Sequence, residues 1–263
     1  MLVVRATRKI RRQWAALAVA ARFLTQVPVP PGVPFRATGR FLPGSLVFFP
    51  VVGGMLGLAT GGLILGLAHC WAWPLAVMLG VAAEMLVTGA FHEDAVADFC
   101  DAFGGGWTRQ RILEILKDSR IGTFGTVGLL VGIGLRVGAM IQLAPGDLLP
   151  ATMAAAAWSR WCILLFMWRL PPIADRASLT RDVGRQATGV SLAIGLALAA
   201  PWIAWWAGSD PTRCAIGLLA AAMWVLCLER YVRRKLGGVV GDCLGMACYT
   251  AQVLVLLAAC AGR

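Results

Sequence analysis

Apolar runs long enough to cross a lipid bilayer follow one another along nearly the whole chain, and no soluble core could absorb them. A helix rises about 1.5 Å per residue, so about 20 apolar residues cover the hydrocarbon layer. Such runs lie near 42–68, 73–91, 124–143, 150–169, 187–207, 213–229 and 243–261. In lipid every backbone N–H and C=O must pair internally, and in a run of this length only a helix does that. The expected fold is therefore all-α, a polytopic membrane helical bundle of about seven transmembrane helices. Composition agrees: of 263 residues, 59% are hydrophobic and 14% charged, where a soluble domain carries roughly a quarter charged. We read 1–263 as a single integral membrane domain without internal repeats, with a basic, Pro-rich segment over 1–40.

The loops test this map. Lys and Arg cluster before the first run (Arg5 to Arg40) and between the second and third (Arg109, Arg111, Lys117, Arg120). They cluster again between the fourth and fifth (Arg169, Arg176, Arg181, Arg185) and between the sixth and seventh (Arg230, Arg233, Arg234, Lys235). The alternate loops, 69–72, 144–149 and 208–212, hold no Lys or Arg. Short basic loops stay on the cytoplasmic side, so the bias predicts a multi-pass protein with a cytoplasmic N-terminus. The net charge of +11 then reflects orientation and contact with anionic lipid headgroups rather than nucleic acid. The eight cysteines form no C-x-x-C pair and read as small buried hydrophobes. The short apolar run 14–19, behind Arg11 and Arg12, predicts an interfacial or re-entrant helix rather than a cleaved signal. Pro28, Pro30, Pro31 and Pro34 make the following approach rigid and non-helical.

Carboxylates gather where topology does not require them. Glu93, Asp94, Asp98, Asp101, Glu114, Asp118, Asp175, Asp182 and Asp242 all fall in or beside the basic loops. If the second helix continues past the membrane surface, Asp94, Asp98 and Asp101 stand at i, i+4 and i+7 on one stripe. Like charges at that spacing repel, and a divalent cation removes the repulsion. Hard oxygen donors without paired His or Cys favour Mg²⁺. The alternative is a solvated acidic helix end. Two Gly-rich turns accompany the stripe: Gly104-Gly105-Gly106 with the stretch Lys117 to Gly125, and Leu236 to Gly245. Glycines let backbone N–H groups approach an anion, and Lys117 and Arg120 are suited to neutralising phosphate. Asp242 is either a helix N-cap or a further carboxylate facing the same pocket.

Ionisable residues inside the runs are costly in lipid and ask for partners. Glu84 with Arg136 or Arg160 makes a structural ion pair, Arg136 being the preferred partner. Ser159 and Arg160 alternatively reach a phosphate or substrate in a hydrated cavity. His92, beside the acids, is a base, a donor behind them, or a structural hydrogen-bonded group.

The motifs Phe91-His92-x-Asp94-x-x-x-Asp98-x-x-Asp101 and Leu113-Glu114-Ile115-Leu116-Lys117-Asp118-Ser119-Arg120-Ile121-Gly122-Thr123-Phe124-Gly125 together resemble the cobalamin synthase family, adenosylcobinamide-GDP ribazoletransferase. Phe23-Leu24-Thr25-x-Val27-Pro28-Val29-Pro30, the Ser159-Arg160 pair and Leu236-Gly237-Gly238-x-x-Gly241-Asp242-x-Leu244-Gly245 extend the resemblance over nearly the whole chain. The chain departs from the family's His-Leu-Asp-Gly at His92-Glu93-Asp94-Ala95, and from Asp-Gly at Asp101-Ala102. The resemblance implies joining of α-ribazole, or its 5′-phosphate, to adenosylcobinamide-GDP with release of GMP, at a cytoplasmic-face active site. It implies Mg²⁺ held by Asp94, Asp98, Asp101, Asp118 and Asp242, with Lys117 and Arg120 as a phosphate clamp. His92, Ser119, Gly122, Arg160, Gly238 and Gly241 would contact substrate, and a homo-oligomer is compatible. The rival within enzymes is a CDP-alcohol phosphotransferase, but Ala102 replaces the Gly of its motif and no Ala-Arg follows. A secondary transporter using Glu84, Arg136 and Arg160 is the rival outside enzymes, without the internal repeat transporters commonly show.

Overall fold

The computed structural model describes residues 2–28, 44–173 and 187–262, and the side chains from residue 10 onward. Its helices, in chain order, are α1 (Leu2–Leu24), α2 (Phe49–Leu67), entered through a 3-10 turn at Leu46–Phe48, α3 (Trp73–Thr88), α4 (Phe91–Gly105) and α5 (Arg109–Ile115). They continue with α6 (Thr123–Ile141), α7 (Pro145–Arg169), α8 (Gly189–Ser209), α9 (Pro211–Leu236) and α10 (Gly241–Cys260). Among the described residues there is no strand, and Pro172 and Val239 form an isolated bridge. The prolines at 30, 31 and 34 and the loop residues Asp175, Arg176, Arg181, Asp182 and Arg185 lie outside the described residues.

Among the described residues, six helical stretches are long and apolar enough to cross a membrane: Leu46–Leu67, α6, α7, α8, α9 and α10. The expected crossing at 73–91 is different. α3 has 16 residues, about 24 Å of helix, and reaches the criterion only when counted with α4, from which it is bent by 87°. The expectation that this helix runs straight on through the acidic stripe is thereby corrected. Gly89 (φ 69°) and Ala90 (φ 52°) are both left-handed, and two such residues in succession end a right-handed helix. The stripe survives, because α4 is itself helical from Phe91 to Gly105.

Packing in lipid needs close backbone approach rather than a hydrophobic drive. α7 and α10 are the inner helices, each with 72% of its span buried, whereas α6 and α8 have 22% and face outward. α2 closes on α7 through glycine: a Cβ on Gly53 would stand 2.3 Å from Ala156 O, and one on Gly57 2.3 Å from Thr152 O. α1 lays Ala16, Val19, Ala20 and Leu24 against the bundle, so the run at 14–19 packs on the other helices. All eight cysteines are free.

One end of the bundle gathers the starts of α2, α6 and α10 and the ends of α7 and α9. Phe49, Met167 and Gly241 line one cavity there. Arg233 Nη2 donates to Arg169 O at 2.6 Å, and Arg109 Nε to Leu236 O at 3.0 Å. α4 packs beside α6 and α10, Cys100 lying against Gly128 and Ala95 against Gly245, and its last turns bring Asp101 against the start of α6. At the opposite end Trp73 Nε1 donates to Ile141 O at 2.9 Å.

The mid-span charges resolve as the preferred ion pair. Arg136 Nη2 lies 2.5 Å from Glu84 Oε2, both almost fully buried, and Thr60 Oγ1 donates to the same oxygen at 2.7 Å. Arg136 Nη1 also lies 3.5 Å from Glu93 Oε1. Glu84→Gln should destabilise the protein by about 3–5 kcal/mol, because it leaves a buried guanidinium poorly compensated. Thermal unfolding in detergent checks this, and Glu84→Gln combined with Arg136→Met should recover part of the loss.

Candidate active site at the end of the bundle

α4 buries Ala95, Val96, Ala97, Phe99 and Ala102 against the bundle and leaves Asp94, Asp98 and Asp101 on its more open face. The i, i+4, i+7 spacing therefore does what a helical period dictates. Gly245 of α10 sits so close beneath α4 that a Cβ would stand 2.2 Å from Ala95 Cβ. This contact brings the first turn of α10, and Asp242 with it, up to α4. The N-cap of α10 is Val240 and Asp242 lies one residue inside the first turn. Of the two readings of Asp242, its capping role is thus set aside.

Asp94, Asp242 and His92 line a cavity of about 140 Å³, together with Phe23, Phe49 and Phe91. Burial, and then the carboxylates of Asp94, Asp242 and Asp101, raise the Asp98 carboxyl to about 6. Asp94, Asp101 and Asp242 are thus each within electrostatic reach of Asp98. Among the described residues no three His, Cys, Asp or Glu side chains already form a cage for an ion. Like charges held apart in this way suit an ion that takes one or two carboxylates and draws its other ligands from water and substrate phosphates, as Mg²⁺ does.

Asp101 has an additional task. Its Oδ2 accepts from Gly122 N–H at 2.7 Å and its Oδ1 from Gly125 N–H at 2.8 Å, so it satisfies the start of α6 from another helix. A Cβ on Gly122 would lie 2.6 Å from Asp101 Oδ1, and one on Gly125 2.3 Å from Oδ2. The glycines do expose N–H groups to an anion, and that anion is the protein's own carboxylate. Lys117, Asp118, Ser119 and Arg120 lie on the exposed connection leading into α6. Asp118 pairs with Arg120 Nη2 at 2.6 Å, and the side chain and backbone N–H of Arg120 hold the Asp118 carboxyl down to about 2.

The remaining candidates divide. Gly241 lines the cavity, while Gly238 packs against Ile173 and Pro171 O. Arg160 is 1% exposed and donates to Gln252 Oε1 at 2.5 Å and Ser159 Oγ at 3.1 Å. His92 is buried, and burial, then the Arg160 charge, depresses its basicity. Glu93, which stands where the family motif has leucine, is buried beside Arg136. The aromatic wall of Phe23, Phe49 and Phe91 escaped sequence reasoning because its members lie on three separate segments. Phe23 and Phe91 do stand inside the quoted motifs, and that was the available signal.

A family model described as cobalamin-5-phosphate synthase matches residues 16–260. The adenosylcobinamide-GDP ribazoletransferase of Sinorhizobium medicae (strain WSM419) is 36% identical over 257 residues, covering 94% of this chain and 97% of its own. That of Leptothrix cholodnii is 36% identical over 257 residues, with 93% and 94% covered. That of Leptospira interrogans is 28% identical over 256 residues, with 95% and 96% covered. No solved structure matches the chain.

The contact between Asp101 and α6 is open to direct test. Asp101→Ala should cost about 1–2 kcal/mol, as loss of a helix cap does, and should speed amide exchange at Gly122 and Gly125. Asp94→Asn should leave both unchanged, since no such backbone contact depends on it.

Proposed function

The chain belongs to the cobalamin-5-phosphate synthase family, and from that premise we propose that it joins α-ribazole, or its 5′-phosphate, to adenosylcobinamide-GDP with release of GMP. It is a transferase of cobalamin biosynthesis. The observation that carries the finer reading is the meeting of Asp94 from α4 and Asp242 from α10 at one cavity, with Asp98 in electrostatic reach of both.

Such a reaction brings a hydroxyl oxygen onto the phosphorus nearer cobinamide while the bond to the departing GMP oxygen breaks. The hydroxyl proton goes to a carboxylate of the site, and negative charge grows on the leaving phosphate. Asp94 and Asp242, which meet at the cavity, are the residues that would hold Mg²⁺, with Asp98 in reach; Asp101 and Asp118, expected as further ligands, are engaged by Gly122 and Gly125 and by Arg120. When bound, that ion neutralises the diphosphate and the developing charge. Asp101 keeps the start of α6 beside the acids through its bonds to Gly122 and Gly125. Lys117 and Arg120, on the exposed connection, would clamp phosphate oxygens, Arg120 exchanging Asp118 for substrate. Ser119, Gly122 and Gly241 would border the same substrate, with His92 behind it. Arg160 and Gly238, which have structural partners here, would act by shaping the floor and the turn. The basic loops at this end support a cytoplasmic active site in a bacterial inner membrane.

Asp94→Asn, Asp98→Asn and Asp242→Asn should each lower GMP release in reconstituted membranes supplied with both substrates by at least about a hundredfold, with folding retained. Wild-type rates in all three would remove the site from the reaction. Chelation of Mg²⁺ should stop GMP release, and added Mg²⁺ restore it. Because Asp98 titrates near 6, it is neutral below that pH and ionised above it. Mg²⁺ titrations should therefore show apparent affinity rising from pH 5 to pH 7.

A further inference from the structure

The cavity beside the acids has two kinds of wall. Asp94 and Asp242 supply charge, and the rest is apolar: Phe23, Phe49 and Phe91 with Ile163, Met167 and Leu244. Phe23 and Phe49 are stacked at 5.5 Å between ring centroids, and Phe91 meets Phe23 edge-on at 5.6 Å. A diphosphate has no use for such walls, since charged oxygens set against hydrocarbon lose their hydration without replacement. They suit a flat, uncharged aromatic group, held by stacked and edge-on ring contacts.

Size and polarity narrow the choice. The cavity is about 140 Å³, comparable to the apolar cavity of about 150 Å³ that takes up benzene. A corrin macrocycle is far too large. A guanine would bury several donors and acceptors against phenyl and aliphatic carbon, each one unpaired. The base of a benzimidazole riboside offers a single acceptor, its free ring nitrogen. His92 also lines the cavity, and its Nε2 is buried with no hydrogen-bond partner among the described residues.

We propose that this cavity is the subsite for the base of the acceptor nucleoside. A flat benzimidazole-type ring packs among Phe23, Phe49, Phe91 and Met167, and His92 Nε2–H donates to its one free nitrogen. The base is thereby held beside the carboxylates, with its ribose directed at the reacting phosphate. This assignment rests on the transfer reaction proposed above and adds to it the residues that select the base.

The test uses the full-length protein in lipid nanodiscs with Mg²⁺, measuring KM for each substrate separately. Met167→Phe, which fills the cavity, should raise KM for α-ribazole roughly tenfold or more and leave KM for adenosylcobinamide-GDP within about twofold. Met167→Ala should gain turnover with the riboside of a bulkier naphthimidazole base, a gain that misfolding cannot produce. The wild type should discriminate against an indole riboside, which lacks the acceptor nitrogen, and His92→Phe should lose that discrimination. KM changes confined to adenosylcobinamide-GDP, or base selectivity unchanged in both Met167 variants, would overturn the subsite while GMP release by the wild type upheld the reaction. Absence of GMP release from the wild type would overturn both.

Discussion

Arg136 reaches Glu84 on one side of the break in the chain and Glu93 on the other, and the acidic end of the bundle depends on that clasp. A guanidinium so deeply placed in lipid must be compensated, so the two carboxylates are held where it can meet them. Glu84 belongs to α3 and Glu93 to α4, so one side chain spans the 87° turn. The turn itself needs Ala90 in a left-handed conformation, at roughly 1–2 kcal/mol of backbone strain. Tertiary contacts on both sides offset that strain. With α4 so placed, its open face carries Asp94 and Asp98 toward Asp242, and its last turns carry Asp101 to the start of α6.

The acids do not all have the same work. Asp101 holds two backbone N–H groups of α6, and Asp118 holds Arg120. Asp94 and Asp242 line the cavity, and burial, then the neighbouring carboxylates, keeps Asp98 from ionising at its ordinary pH. A site built this way is unfavourable when empty and favourable once positive charge arrives. Phosphoryl transfer draws on the same difference, because negative charge is greatest as the leaving phosphate departs.

Glu93 shows how a departure from a motif can be absorbed. The family resemblance leads one to expect leucine there, and on an exposed loop the added carboxylate would be indifferent. At a buried position it is tolerable because Arg136 is 3.5 Å away. Tyr249, whose ring lies 5.9 Å from the same guanidinium, completes the surroundings.

The helical membrane class, six of the crossings and the common stripe of Asp94, Asp98 and Asp101 were legible in the sequence. Each follows from a local period: about twenty apolar residues for a bilayer, and 3.6 residues per turn for a helix face. The family was legible from motif spacing for the same reason, since spacing is a property of the chain alone. The break at Gly89–Ala90, the neutralisation of Glu93, the use of Gly122 and Gly125 to admit Asp101, and the aromatic wall beside Asp94 were settled only by tertiary structure. Each of these depends on which distant segment arrives opposite a residue. In lipid that is decided by close packing and by charge pairing between helices, neither of which leaves a periodic mark on the sequence.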